Sequence, residues 1–129
     1  MNSELNSWKS FLIYQSPPIF FAIFLFIYSS IPDPFDIKLD FSLEDKLKHF
    51  AAYAVFGFLI VRALYYKVGN PTLKRKIIIW AIVIGIVYAV SDETHQYFVP
   101  GRSAEIEDMV ADSFGVIFGV LVYMGLKDG

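Results

Sequence analysis

Residues 77–98 read IIIWAIVIGIVYAVSDETHQYF. The first two thirds carry no charge, and their only polar side-chain atoms are the tips of Trp80 and Tyr88. Ser91, Asp92, Glu93, Thr94, His95 and Gln96 then follow within about one and a half helical turns. A helix with this pattern runs through an apolar phase and carries polar chemistry to its edge.

Composition identifies the phase. The chain has 129 residues, of which 56% are hydrophobic, 18% aromatic and only 19% charged. Soluble domains carry about 25% charged residues. Cysteine is absent, so no disulfide framework or thiolate metal site is available. A net charge of −2 and a pI near 5.6 give no reason to expect nucleic acid as a partner. The length predicts one domain over 1–129.

Outward from 77–98, the remaining apolar stretches complete a set of four predicted helices at roughly 10–31, 43–66, 72–98 and 104–126. About 20 residues suffice to cross a bilayer core. Segment 10–31 has no charge, Arg62 lies near the end of the second, where its head can snorkel to the interface, and Asp112 sits inside the fourth. Helices apolar on every face need lipid or a much larger protein around them. The expected fold is an all-α membrane protein, a bundle of four transmembrane helices with short loops.

Segment 10–31 exceeds the 7–15-residue apolar region of a signal peptide, and no small-x-small site follows, so it is read as a retained anchor. Pro17-Pro18 predicts a kink, or the point where an interfacial stretch over 4–15 turns into the membrane. Ser42-Leu43-Glu44-Asp45 has capping-box spacing, and Asn70-Pro71 suits an N-cap with Pro at the first helical position. Pro100-Gly101 is a turn, after which Ser103 is the expected cap of the last helix and Glu105, Glu107 and Asp108 complement its dipole.

Helical periodicity gathers the polar residues into stripes. Asp108, Asp112, Gly115 and Gly119 share one stripe, and Gly85, Ala89, Asp92 and Gln96 another, flanked by Glu93 and His95. His49 lies one turn from Asp45 and beside Lys46, with Tyr53 continuing the face. Small residues permit close helix contact, so Gly115-x-x-x-Gly119 is expected to bring the last helix against 72–98. A carboxylate within a spanning helix costs roughly 2.5–3.5 kcal/mol and is usually functional, which singles out Asp112.

These residues resemble a family. Asp45-Lys46-Leu47-Lys48-His49-Phe50 with Tyr53 and Gly57 is similar to the D-K-x-x-H-F-x-x-Y-x-x-x-G opening of the VanZ-like family. The run from Ser91 to Arg102 resembles its S-D-E-x-x-Q-x-F-x-P-x-R signature, and Asp108, Ala111, Asp112 and Gly115 its closing D-x-x-A-N-x-x-G. The resemblance covers roughly 43–120, with the motifs in family order and spacing. Asp112 stands where the family pattern has Asn, so an amide role is not carried over. The resemblance implies a small bacterial polytopic membrane protein from a family named for resistance to teicoplanin-type lipoglycopeptides.

Three functional readings follow. In the first, an enzyme acts on an amphiphilic, lipid-linked envelope substrate, with Glu93 and His95 as acid/base candidates and Asp108 as an orienting carboxylate. In the second, a binder holds such a lipid, glycan or lipoglycopeptide with Asp45, Lys46, His49, Asp92, Gln96, Arg102 and Asp112. In the third, the same groups form a structural network pinning three helices and docking a partner. Asp92, His95, Asp108, Asp112 and His49 could donate to a metal, but no metal-ligand spacing is present, so neither metal nor cofactor is expected. Oligomeric state is left open.

Lys and Arg in the short loops predict the orientation. Lys9, Arg62, Lys67, Lys74, Arg75, Lys76 and Lys127 lie on one side, against Lys38, Lys46, Lys48 and Arg102 on the other. Both termini are therefore expected in the cytoplasm of a bacterium, with the protein in its inner membrane and the polar cluster on the outer face. Cysteines introduced at Asn70 and Ser103 test this with an impermeant thiol reagent on intact cells. Position 103 should label and position 70 should not, and the reverse pattern overturns the orientation.

Overall fold

The computed structural model describes residues 2–32 and 43–129. Its elements are α1 (Asn2–Ser10), a π-helical turn (Phe11–Gln15), α2 (Ser16–Ser30), α3 (Leu43–Tyr65), α4 (Pro71–Tyr97) and α5 (Ile106–Asp128). Among the described residues no strand is present. Three helical spans are long and apolar enough to cross a membrane: Asn6–Ser30, Leu43–Tyr65 and Ile106–Asp128. The all-helical fold stands, but the expected fourth span, α4, is not among them. Lys74, Arg75 and Lys76 at one end and Asp92 and Glu93 at the other leave an uncharged core, 77–91, shorter than the roughly 20 residues a bilayer requires.

Much of the apolar surface points outward. Ile19, Phe20, Ile23, Phe24, Phe26 and Ile27 of α2 are all exposed, and only 11% of that span's apolar window is buried. A helix apolar on its outer face suits lipid rather than water.

The N-terminal rod shows what the prolines do. Pro17 and Pro18 lack the N–H groups that would bond the carbonyls of Ile13 and Tyr14. The chain answers with the π turn just before them and then continues as α2, with the prolines in its first turn. Arg62 of α3 donates to the freed Ile13 carbonyl at 2.7 Å, and its guanidinium lies over the Tyr14 ring. Tyr14 also stacks on Tyr66 at 3.7 Å between ring centroids. Arg62 thus sits against the first helix as well as near the interface.

The Asn70 side chain caps α4 as expected, accepting from the backbone N–H groups of Thr72 and Leu73, with Pro71 at the first helical position. Gly101 takes a left-handed φ of 75° in the predicted turn. The last helix begins at Ile106 rather than near 104, with Glu105 at the cap position and no side-chain cap. Ser103 instead reaches the Glu105 carboxylate at 3.4 Å. The predicted Ser42 cap lies outside the described residues.

Helix pairing departs from expectation. A Cβ on Gly115 would strike the Phe50 carbonyl oxygen, and one on Gly119 the Ala54 carbonyl oxygen, both on α3. Reciprocally, a Cβ on Gly57 of α3 would strike the Val116 carbonyl oxygen. The glycine face of α5 therefore packs on α3, not on α4 as the spacing suggested. The reason is reciprocal: α3 contributes its own glycine opposite the turn between Gly115 and Gly119, so the two backbones approach from both sides. Gly85 of α4 faces the Val116 side chain, which is wholly buried where α3, α4 and α5 meet. Tyr53, Phe56, Ile60, Val61, Ala81, Ala89 and Val120 complete this core. On its α2 side, Tyr88 donates to the Ala22 carbonyl at 2.5 Å and Phe21 stacks against Phe56.

A methyl group at Gly119 would meet backbone that cannot yield, whereas at Gly125 nothing lies within 4 Å. Gly119→Ala is expected to lose about 1–3 kcal/mol through overpacking. Gly125→Ala should be neutral or gain up to about 1 kcal/mol from helix propensity. Thermal unfolding of both variants in detergent checks this, and equal behaviour would mean that the face of Gly119 looks at lipid.

Candidate functional site

The polar cluster forms at the end of the bundle where α2 and α4 finish and α3 and α5 begin. Lys46, His49 and Tyr53 fall at i, i+3 and i+7 on α3, while Glu105, Asp108 and Asp112 repeat that spacing at the start of α5. Because α3 and α5 are in backbone contact a few turns further in, the two stripes meet face to face.

Lys46 is buried and donates to Asp108 Oδ1 at 2.5 Å and Glu105 Oε2 at 2.6 Å, with Asp45 Oδ2 at 3.7 Å. The Lys46 ammonium beside Glu105 holds that carboxyl below the usual carboxylate range. The stability from this depressed value is present at neutral pH and is lost as acid protonates Glu105. His49 pairs through Nδ1 with Asp112 Oδ1 at 2.9 Å, and its Nε2 lies 3.7 Å from Asp108 Oδ2. The imidazole thus spans two turns of α5.

Helix α4 supplies the third wall. Its stripe of Gly85, Ala89, Asp92 and Gln96 is buried as the periodicity predicted, and Ala81 extends it. Tyr53 donates its hydroxyl to Asp92 Oδ2 at 2.9 Å. Glu93, only 1% exposed, accepts the backbone N–H of Glu105 at 2.7 Å through Oε1 and so anchors the entry to α5. Three buried carboxylate oxygens accept no hydrogen bond among the described residues: Asp92 Oδ1, Glu93 Oε2 and Asp112 Oδ2.

A cleft of about 90 Å³ opens beside the cluster. Asp45, Lys48, His49, Tyr53, Asp92, Gln96 and Arg102 line it, together with Tyr28 and Ser29 from α2. Its rim carries cations and its wall carboxylates, so it can receive a group with both anionic and hydrogen-donating atoms.

The candidates named from sequence are thus divided. Lys46, His49, Asp92, Glu93, Asp108 and Asp112 come together in one network, and Asp45, Gln96 and Arg102 join at the cleft. His95 does not enter the network. Its Nε2 pairs with Ser30 Oγ at 2.8 Å and its ring stacks on Phe26, both on α2. Arg102 is engaged with the open end of α2, donating through Nε to the Ile31 carbonyl and through Nη2 to the Tyr28 carbonyl, each at 2.9 Å. It therefore tethers the end of α2 through two backbone carbonyls while also lining the cleft. The acid/base candidate Glu93 and the orienting carboxylate Asp108 lie in the cluster, but neither lines the cleft. Tyr53 and Glu105 were not among the named site residues, although both continue the stripes at helical spacing.

Comparison with known proteins agrees with the geometry in one respect and is silent in others. No curated protein matches the chain, and no solved structure does. The VanZ/LLP1 family matches residues 5–127, so nearly the whole described bundle, first helix included, falls within the match. With three membrane-length apolar helices and a polar cluster built from the motifs at 45–57, 91–102 and 108–115, the chain belongs to the VanZ/LLP1 family.

Proposed function

We propose that the chain is a bacterial inner-membrane protein whose cleft binds the polar headgroup of an amphiphilic envelope lipid or lipid-linked glycan at the outer leaflet. In this reading α4 spans the membrane with the other three helices despite its short uncharged core, because Asp92 and Glu93 face the bundle interior rather than lipid, and both termini are cytoplasmic. The observation that carries the reading is Asp92, a buried carboxylate on the cleft wall with Oδ1 lacking any donor among the described residues. A buried acceptor without a partner costs about 1–3 kcal/mol, more for a charge, unless something else satisfies it. A hydroxyl or ammonium of a headgroup would supply the donor, while Lys48 and Arg102 at the rim suit a phosphate.

Size narrows the ligand. A volume of about 90 Å³ corresponds to roughly three waters at ~30 Å³ each. It admits a small polar group and leaves any sugar or acyl chain outside, against the exposed aromatic face of α2. A lipoglycopeptide is itself amphiphilic, so the family's association with teicoplanin-type resistance is in keeping with a site of this kind.

A second reading has its own support. Lys46, Glu105 and Asp108 are paired with one another, as a pin between α3 and α5 requires. The two readings apply to different parts of one network. The pin holds the bundle end together, and the unsatisfied wall receives the ligand.

The division predicts different phenotypes. Lys46→Met strands two carboxylates and should cost about 3–5 kcal/mol of stability, the usual result of breaking a buried pair. Asp92→Asn keeps shape and an acceptor for Tyr53, so it should unfold within a few degrees of the parent. It should nevertheless lose most of the phospholipid retained through detergent purification, read by native mass spectrometry. Full lipid retention by a stable Asp92→Asn protein would overturn the binding reading and leave the scaffold.

A further inference from the structure

Charge within the cluster does not balance. Asp92, Glu93, Asp108 and Asp112 are buried and Glu105 is half-buried, while Lys46 and His49 are the bases that pair with members of this set. Asp92 and Glu93 have no ion-pair partner among the described residues. Buried charges are ordinarily paired or bound to a metal.

We infer that His49, Glu93 and Asp112 form a divalent-cation site. One ligand atom from each of these side chains lies within 4.8 Å of the others. Glu93 Oε2 and Asp112 Oδ2 are buried and accept no hydrogen bond among the described residues, on side chains of residues 1% and 0% exposed. Two carboxylates and one imidazole make a mixed oxygen–nitrogen donor set, which suits Mn²⁺ or Zn²⁺ better than Ca²⁺ or Mg²⁺. Donors at ~2.1 Å from one ion lie at most ~4.2 Å apart, so a small side-chain movement closes the set. Three protein ligands leave coordination positions for water or an anionic oxygen of a headgroup.

A neighbouring set, Asp45, His49 and Asp108, has comparable spacing. It is the poorer site, because the Lys46 ammonium already sits on Asp108 and close to Asp45. Asp112→Asn keeps the side-chain shape and an oxygen for His49, and should fold. No linear spacing signals the site, since its ligands come from α3, α4 and α5.

This inference deepens the headgroup reading, but its test needs no lipid. The full chain is purified in detergent, stripped with EDTA and titrated with Mn²⁺ while free Mn²⁺ is followed by electron paramagnetic resonance, with Zn²⁺ as competitor. The parent should bind one Mn²⁺ that Zn²⁺ displaces. Asp112→Asn and Glu93→Gln should each weaken binding at least tenfold, and Glu107→Gln, at an exposed position on α5, should bind as the parent does. Absence of Mn²⁺ and Zn²⁺ binding by the parent overturns the inference and assigns charge balance to protons. Parent-like binding by a folded Asp112→Asn protein overturns it equally. A chain that retains phospholipid yet binds no cation loses this inference alone.

Discussion

The backbones of α3 and α5 touch where Gly57, Gly115 and Gly119 leave no side chain between them. Between helices in lipid, association rests on packing and interhelical hydrogen bonds rather than on the exclusion of water. A backbone contact also fixes two rods in register along their length. A few turns outward, the same faces carry Lys46 and His49 on one helix and Glu105, Asp108 and Asp112 on the other. The contact therefore determines that the polar groups meet as pairs instead of facing an apolar neighbour unpaired. Val116, buried under Gly57 and Gly85, extends the lock to α4.

Polar bonding elsewhere follows a second constraint, the satisfaction of helix carbonyls. Proline removes the donor for Ile13, and Arg62 replaces it. At the C-terminal turn of α2 the Tyr28 carbonyl accepts the Ile31 N–H, and Arg102 adds a donor to the Tyr28 carbonyl and one to that of Ile31. Two arginines at opposite ends of the bundle thus bind the first helix to the other three through its backbone. Tyr88, donating to Ala22 midway along α2, does the same. The helix with the least buried apolar face is held largely by hydrogen bonds to its carbonyls and by aromatic contacts.

The cluster itself combines satisfied and unsatisfied parts. Lys46 makes short charge-assisted bonds to Glu105 and Asp108, the arrangement that makes a buried ammonium tolerable. Around Asp92, Glu93 and Asp112 one oxygen of each carboxylate is bonded and the other accepts no hydrogen bond among the described residues. Low dielectric makes such groups costly when alone and strong when paired.

Composition and period were enough to establish an all-helical, lipid-suited chain and to sort its residues onto faces. The i, i+4 spacings of Asp108 with Asp112, of Asp92 with Gln96 and of His49 with Tyr53 placed each pair on one side of its own helix. Asn70-Pro71 announced its cap, because capping is decided within four residues of chain. Periodicity states which residues share a face, but it is silent about which neighbour that face meets. Glu93 and His95 flank the Asp92 stripe alike in sequence. In the bundle one turns to α5 and the other to α2, so only Glu93 joins the network. The glycine stripe of α5 met α3 for the same kind of reason, since a complementary glycine on the partner selects it and that match exists only between helices. Helix identity is a local property that the sequence determined by itself, whereas helix adjacency, and with it the grouping of His49, Glu93 and Asp112, was decided only by packing in three dimensions.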